Sequence, residues 1–328
     1  MENIEKSNLE LNPWYVTGFS DGEACFHLAI GKNTKYKIGY YVNPGFSIAL
    51  HKKDEELLRK IQEFFGGIGV LKVKKDIVQF RVFSMKDLDI IIKHFDLYPF
   101  ITKKLADYLL FKEALELIKN QEHLTIEGFN KIISIRASMN KGLPEILKKD
   151  FSNIIGRKIP LVTVPDKLDP NWIAGFSEGE GCFFVKLVKN NTKKKYQVIL
   201  GYQISQHSRD TLLIEKFTTF FNCGRLELTK GSSVNFLVNK FSDITGVIIP
   251  FFEKYPILGS KSKDFKDWRK IATLMTSKAH LTEEGIEEIS KIKSSMNSSR
   301  VFTAGFAFAF AFAFAFAFAL AEDEEESN

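Results

Sequence analysis

The 328-residue sequence predicts an α+β protein in which one domain is used twice. Three observations carry this reading. Separated blocks of sequence recur at a fixed spacing of 157 residues. Within each copy, runs of apolar–polar alternation mark half-buried strands. Between those runs, apolar residues fall at helical spacing.

The repeat is anchored at several points. Asn12-Pro13 returns as Asp169-Pro170, and the segment from Gly18 to Phe26 returns as Gly175 to Phe183. Tyr98-Pro99 matches Tyr255-Pro256, Lys104 matches Lys261, His123-Leu124-Thr125 matches His280-Leu281-Thr282, and Met139-Asn140 matches Met296-Asn297. All are offset by 157; only the Trp14 and Trp172 pair, at 158, is out of register. In the middle the offset slips to 156, where His51 pairs with His207 and Phe64-Phe65 with Phe220-Phe221. One residue fewer between Phe183 and His207, restored before Tyr255, accounts for the slip, and loops and turns absorb such changes. A period this long denotes two duplicated domains, not a solenoid. The boundaries expected are 1–140 and 169–300 for the two copies, 141–168 for a linker and 301–328 for a tail.

Each element has a local reason. Asn12 or Asp169 caps a short helix with proline at its first position, ending near Gly22 or Gly179. Phe26, Leu28 and Ile30, then Ile38, Tyr40, Val42, Phe46 and Ile48, alternate as a hairpin. Leu57, Leu58, Ile61, Phe64 and Phe65 follow helical spacing until Gly66-Gly67 stops them. Residues 68–83 form a second hairpin, and helices follow at 86–95, 102–118 and 125–139. Residues 141–168 hold three prolines and have no repeat counterpart, which marks the linker.

Composition bounds the function. With 45% hydrophobic and 26% charged residues the chain is neither disordered nor a disulfide scaffold. The formal charge of +6 hides a division: residues 1–300 hold 46 basic and 35 acidic residues, a net of +11, while the tail adds only acids. A body this basic calls for a polyanionic partner. Cys25, Cys182 and Cys223 lie too far apart in sequence for zinc-ligand spacing, and their odd number opposes a secreted framework. The first residues show neither an apolar signal core nor an Arg-rich presequence.

The repeated motif carries the chemistry. Gly18 and Gly22, and Gly175 and Gly179, lie on one helix face and permit close backbone approach between two helices across a pseudo-twofold axis. Each helix ends in acids, Asp21 with Glu23 and Glu178 with Glu180. Side by side, the two ends would bring Glu23 and Glu180 together. Two such carboxylates repel unless a proton or cation sits between them, and oxygen-bound divalent metals suit that place and phosphoryl chemistry. A single copy would read as a solvated acidic helix end; the duplication argues otherwise.

The segments Val16 to Ala24 and Ile173 to Gly181 resemble the two LAGLIDADG motifs of single-chain homing endonucleases of the fungal mitochondrial-intron type. The resemblance covers roughly residues 10–298. It implies two pseudo-symmetric αββαββα repeats forming a saddle of antiparallel strands that binds double-stranded DNA. It implies Mg²⁺-dependent cleavage of both strands by a monomer acting as a pseudo-dimer, with a mitochondrial, organelle-encoded origin. It assigns the metal-binding acids to Glu23 and Glu180, and backbone carbonyls for the metal to Gly22 and Gly179. Ala24 departs from the usual glycine and is small enough to do little harm. Lys104 and Lys261 match a basic position near the scissile phosphates, where charge develops; the ordinary alternative is a solvated lysine at a helix start. Gln206 matches a water-ordering position, or is a plain strand residue; its counterpart Leu50 makes the two centres unequal.

Alternation also assigns faces. Cys25 and His27 point away from the core in the first copy, as do Cys182, Phe184 and Lys186 in the second. A two-stranded ribbon fits the major groove, where base pairs are distinguishable. Hairpin lysines Lys32, Lys35 and Lys37, and Lys189, Lys193, Lys194 and Lys195, suit phosphates. Gln79, Arg81, Gln197, Gln203, Arg225 and Asn235 are candidate base readers, though any one alone reads equally as a surface residue.

From Phe306 to Ala319 the tail alternates Phe and Ala, inside an 18-residue stretch without polar side chains from Ala304 to Ala321. It reads as a low-complexity extension or artefact, with a membrane anchor or an aggregating segment as rivals; a membrane is not the expected partner. The rival to cleavage is an intron RNA maturase, or a non-cleaving DNA-binding protein on the same fold. Both motif acids are intact, which favours cutting.

Overall fold

A computed structural model describes residues 11–190, 195–229 and 231–297. It divides into two compact units. The first runs to Thr163 and also takes in Asp169–Phe176; the second holds Val164–Leu168 and the chain from Ser177. The tail and the tip lysines Lys193 and Lys194 lie outside the described residues, as does the side chain of Lys195.

In the first unit, helix α1 (Pro13–Glu23) opens on the Asn12 cap, whose side chain accepts the Trp14 N–H at 2.9 Å. Strands β1 (Ala24–Lys32) and β2 (Tyr40–His51) follow, then α2 (Glu55–Phe64), β3 (Val70–Lys74) and β4 (Ile77–Val82). Helices α3 (Met85–Leu97), α4 (Lys104–Lys119) and α5 (Ile126–Ser138) complete it. The strands form one antiparallel sheet in the order β1-β2-β4-β3. Phe26 pairs with Phe46 across β1 and β2, and both rings are buried. Phe26 is the hub of an aromatic core, 5.2 to 5.9 Å from the rings of Phe46, Phe95, Phe100, Tyr108 and Phe111. Burying one such ring is worth roughly 2–3 kcal/mol.

The second copy repeats this plan. Helix α7 (Pro170–Glu180), whose turns up to Phe176 belong to the first unit, leads into β5 (Gly181–Asn190) and β6 (Lys195–His207), then α8 (Thr211–Phe221), β7 (Arg225–Leu228) and β8 (Ser233–Val238), with sheet order β5-β6-β8-β7. Phe183 takes the place of Phe26, 5.2 to 5.3 Å from Tyr202, Phe252, Phe265 and Trp268. Helices α9 (Phe241–Asp243), α10 (Ile249–Lys254), α11 (Lys261–Thr276) and α12 (Glu283–Ser294) follow.

The slip in the repeat has a structural cause at each end. Phe183 pairs with Tyr202, one residue nearer in sequence than Phe26 to Phe46, so the second hairpin is shorter by one. The residue is regained inside a helix rather than in a loop. A π-helical turn (Ile244–Ile248) joins α9 to α10, where the first copy has the continuous α3. A single inserted residue in a helix takes this form because it adds one position without breaking the rod.

The repeated Met-Asn pairs also gain a reason. Asn140 and Asn297 both adopt φ of 51°, a conformation asparagine tolerates. Their side chains donate to Phe26 O (2.8 Å) and Phe183 O (2.9 Å), tying the end of each copy to its first strand.

The expected linker is docked rather than loose. It contains a short helix, α6 (Glu145–Asp150), and Phe151 packs with Tyr40 and Phe129. Ser134 and Ser138 of α5 donate to Ile155 O (2.6 Å) and Arg157 O (2.7 Å). No helix among the described residues is long and apolar enough to cross a membrane.

Candidate active site and nucleic-acid interface

The glycine spacing read from the sequence becomes a backbone-to-backbone contact. A Cβ on Gly18 would lie 2.0 Å from the carbonyl oxygen of Trp172, and one on Gly175 would lie 2.0 Å from that of Tyr15. Only glycine allows α1 and the first turns of α7 to approach this closely.

The two acids that end each motif helix have different fates. Asp21 is buried and accepts from Ile101 N (3.0 Å), Thr102 Oγ1 (2.6 Å) and Trp172 Nε1 (2.9 Å). Burial pushes its carboxyl up to about 6, against the pull of those donors and of Lys104. Glu178 is likewise buried and accepts from Leu258 N (2.9 Å) and Gly259 N (2.7 Å). Both therefore anchor the loop ahead of the next helix. Sequence reading missed this role, because its partners lie 80 residues away. Glu23 and Glu180 remain only half-buried at the helix ends.

Each anchored loop delivers a lysine to the same helix end. Lys104 Nζ donates to Gly22 O (3.4 Å) and to Ala24 O. Lys261 Nζ donates to Ser177 O (3.1 Å) and Gly179 O (3.0 Å). The last carbonyls of a helix are unpaired acceptors at its negative end, so a cation is at home there. Gly22, Glu23 and Lys104 thus converge in the first unit, and Gly179, Glu180 and Lys261 in the second. An accessible carboxylate beside helix-end carbonyls is an all-oxygen donor set, which fits a hard divalent cation. Among the described residues no group of three or more His, Cys, Asp and Glu side chains could cage a metal.

Gln206 stands differently. On β6 it shares the parity of buried Tyr202 and Ile204 and lies opposite buried Val234, not in the row of Gln203. Leu50 likewise shares the parity of Phe46 and Ile48.

The outward faces hold the remaining candidates. Cys25, Ser47 and Arg81 align across the first sheet in register, and Gln79 lies opposite Ala49. Arg81 donates to Gln79. His27 lies over its cross-strand partner Gly45 and edge-on to Phe83 at 5.7 Å. Loss of water there, reinforced by Arg81 and Arg136, lowers its pKa to about 4. Burial pushes the pKa of the Cys25 thiol up. In the second sheet Phe184 covers Gly201 in the same way, with Lys186 Nζ 5.0 Å from its ring centroid. Gln203 aligns with Cys182 and bonds Ser205 at 2.8 Å; Asn235 aligns with Ser205, and Arg225 stands opposite Leu237. Gln197 and Lys189 are exposed on the hairpin, as are Lys35 and Lys37 on the first. Lys32 departs from the expectation of an open phosphate lysine. Its ammonium is 2.9 Å from Asp150 of α6, which also accepts the Tyr40 hydroxyl at 2.9 Å. Sequence reading could not foresee this, since the linker looked featureless.

The chain has known relatives in both sequence and fold. The model of the family described as LAGLIDADG endonuclease matches residues 16–115 and 173–272. Two curated relatives from Neurospora crassa, probable intron-encoded endonucleases 3 and 2, are 41% and 40% identical and each align to 87% of this chain. The chain spans only 54% and 65% of their respective lengths. The solved structure of the homing endonuclease I-SmaMI bound to cleaved DNA is 45% identical, with a TM-score of 0.85 over 89% of this chain and 98% of that one. The same enzyme has been captured on an uncleaved DNA target in the presence of calcium ions. Two copies of the motif, glycine-mediated helix packing, two matched four-stranded sheets and these similarities lead to one conclusion: the chain belongs to the LAGLIDADG endonuclease family.

Proposed function

We propose that this chain is a site-specific endonuclease that hydrolyses both strands of a double-stranded DNA target, acting as a single-chain pseudo-dimer with Mg²⁺ as its divalent cation. The observation that carries the proposal is the twice-built helix end, where a half-exposed glutamate, a glycine carbonyl and a lysine ammonium meet. Its 45% identity to an enzyme solved with cleaved DNA supports the same reading. Mitochondrial action is part of the proposal, supported by fungal relatives encoded in introns, including ND4 and cox1 introns.

The chemistry follows from the residues. Glu23 with Gly22 O, and Glu180 with Gly179 O, would hold the cations. A bound divalent cation neutralises phosphate charge and acidifies a coordinated water. Lys104 and Lys261 reach the same helix ends and stabilise the charge that grows on the phosphoryl oxygens as water adds to phosphorus and the P–O bond breaks. Asp21 and Glu178 fix the loops that present the lysines. The outward strand residues hold the target in register, and exposed hairpin lysines hold its phosphates.

The test is Glu23→Gln with Glu180→Gln. Cleavage in Mg²⁺ should fall below detection while specific binding of the target duplex, measured by gel shift, persists. Cutting at the wild-type rate by the double variant overturns the proposal.

A further inference from the structure

Among the described strand residues of the second sheet, Glu227 is the one acid in the outward row. Strand register sets Arg225 opposite Leu237 and Glu227 opposite Asn235, and these in turn face Gln203 and Ser205. Arg225 and Glu227 thus share the face of Gln203 and Asn235, turned away from the core. Both are substantially exposed, with 51% and 42% of their side chains accessible.

The two side chains are fixed to each other. Glu227 Oε1 accepts from Arg225 Nε (3.0 Å) and from a terminal guanidinium nitrogen (2.6 Å). The other terminal nitrogen donates to Asn239 Oδ1 at 2.8 Å. These bonds occupy three of the guanidinium's N–H groups and one carboxylate oxygen. Two N–H groups and Glu227 Oε2 are left to meet a ligand. The register positions equivalent to Arg225 and Glu227 in the first sheet hold Val70, opposite Arg81, and Lys72, opposite Gln79. The device therefore belongs to the second unit alone.

We infer that Arg225 and Glu227 form one pre-set donor–acceptor unit that reads a guanine and a cytosine in the major groove of the second half of the DNA target. The inference rests on the proposal that this face binds duplex DNA. Paired N–H donors match guanine O6 and N7, and a carboxylate accepts from the cytosine N4 amino group. A carboxylate on a surface that meets phosphates weakens binding unless an amino donor faces it. Guanine and thymine present acceptors and repel it. Adenine presents its amino group beside the N7 acceptor, which also opposes it. Glu227 therefore discriminates mainly by penalty, and the Arg225 bond holds it at the required place. An exposed ion pair of this kind adds little to stability, so its substitution leaves the fold intact.

The test is a binding selection on duplexes randomised across the second half-site, with the full-length protein and its Glu227→Gln and Glu227→Ala variants. The wild type should enrich cytosine at one column by roughly tenfold over the other bases. Glu227→Gln should move that column toward adenine, which an amide reads through N6 and N7. Glu227→Ala should flatten it, and the remaining columns should keep their preferences. Equal column profiles in all three proteins overturn the inference, as does a wild type that selects no DNA sequence. Because the readout is binding, it is independent of cleavage: a wild type that selects cytosine but cuts nothing sinks the endonuclease proposal and leaves this one standing.

Discussion

Replacing Gly18 by alanine tests the helix contact directly. The added Cβ would lie 2.0 Å from Trp172 O, 2.8 Å from Trp172 C and 2.9 Å from Phe176 N. All three are backbone atoms, so no side chain can swing away. Restoring ordinary contact at 3.4 Å requires the chains to part by about 1.4 Å along the closest approach. That displacement would also strain the Trp172 Nε1 bond to Asp21, now 2.9 Å, and loosen the loop anchored by the same carboxylate. Overpacking against rigid backbone costs roughly 3 kcal/mol or more. For a unit of this size it corresponds to a fall in Tm of roughly 6–12 °C. Gly175→Ala meets Tyr15 O at the same 2.0 Å and should cost as much. The double variant should cost less than the sum, because the first alanine has already opened the contact. Thermal unfolding followed by circular dichroism measures all three. A Gly18→Ala protein with wild-type Tm, or strictly additive losses, would refute the close-packing argument.

One further prediction rests on a difference between the halves and another on a buried histidine. Ser177 Oγ bonds the Tyr202 hydroxyl at 2.6 Å, whereas Phe46 stands at the matching place and the buried Ser20 Oγ has no partner among the described residues. Phe46→Tyr should therefore stabilise by roughly 1 kcal/mol, and a lowered Tm would count against it. The second concerns pH. His94 is buried, and its Nε2 is 3.1 Å from Thr17 Oγ1, whose hydroxyl donates to Tyr98 O. Burial lowers the His94 pKa from 6.5 to about 4. The unfolded chain binds the proton more readily, so this contribution is complete above pH 6.5 and is lost as pH falls toward 4. It amounts to at most about 3 kcal/mol. His94→Gln should flatten the fall in Tm between pH 7 and pH 5 relative to wild type; parallel curves would refute it. Asp21, raised to about 6, acts in the opposite direction, so the two proteins are compared at equal pH.

Much of this was legible in the sequence because it is local or repeated. The Asn12 cap, the alternation around Phe26 and the glycines before Glu23 and Glu180 each follow from neighbouring residues. Duplication turned a common acidic helix end into a specific signal. What escaped depends on distant partners. Asp21 and Glu178 looked like companions to Glu23 and Glu180, the acids proposed for the metal, yet they bind loops 80 residues on. The restored residue hid inside a helix because a π turn has no sequence signature distinct from its apolar surroundings. Glu227 gives no signal in the sequence, because an acid on a basic strand face looks like any solvated residue.

The docking of the linker changes what it means to treat 141–168 as a spacer. Asp150 holds Lys32 and Tyr40, the pair that flanks the turn of the first hairpin, and Phe151 packs on Tyr40. A phosphate arriving there competes with a carboxylate already in place. On the proposed DNA-binding reading, the linker would set how many cations the first unit presents to the duplex. A chimaera that exchanged it for glycine and serine would keep its strands and gain one uncommitted lysine, binding all duplexes more tightly and telling them apart less well.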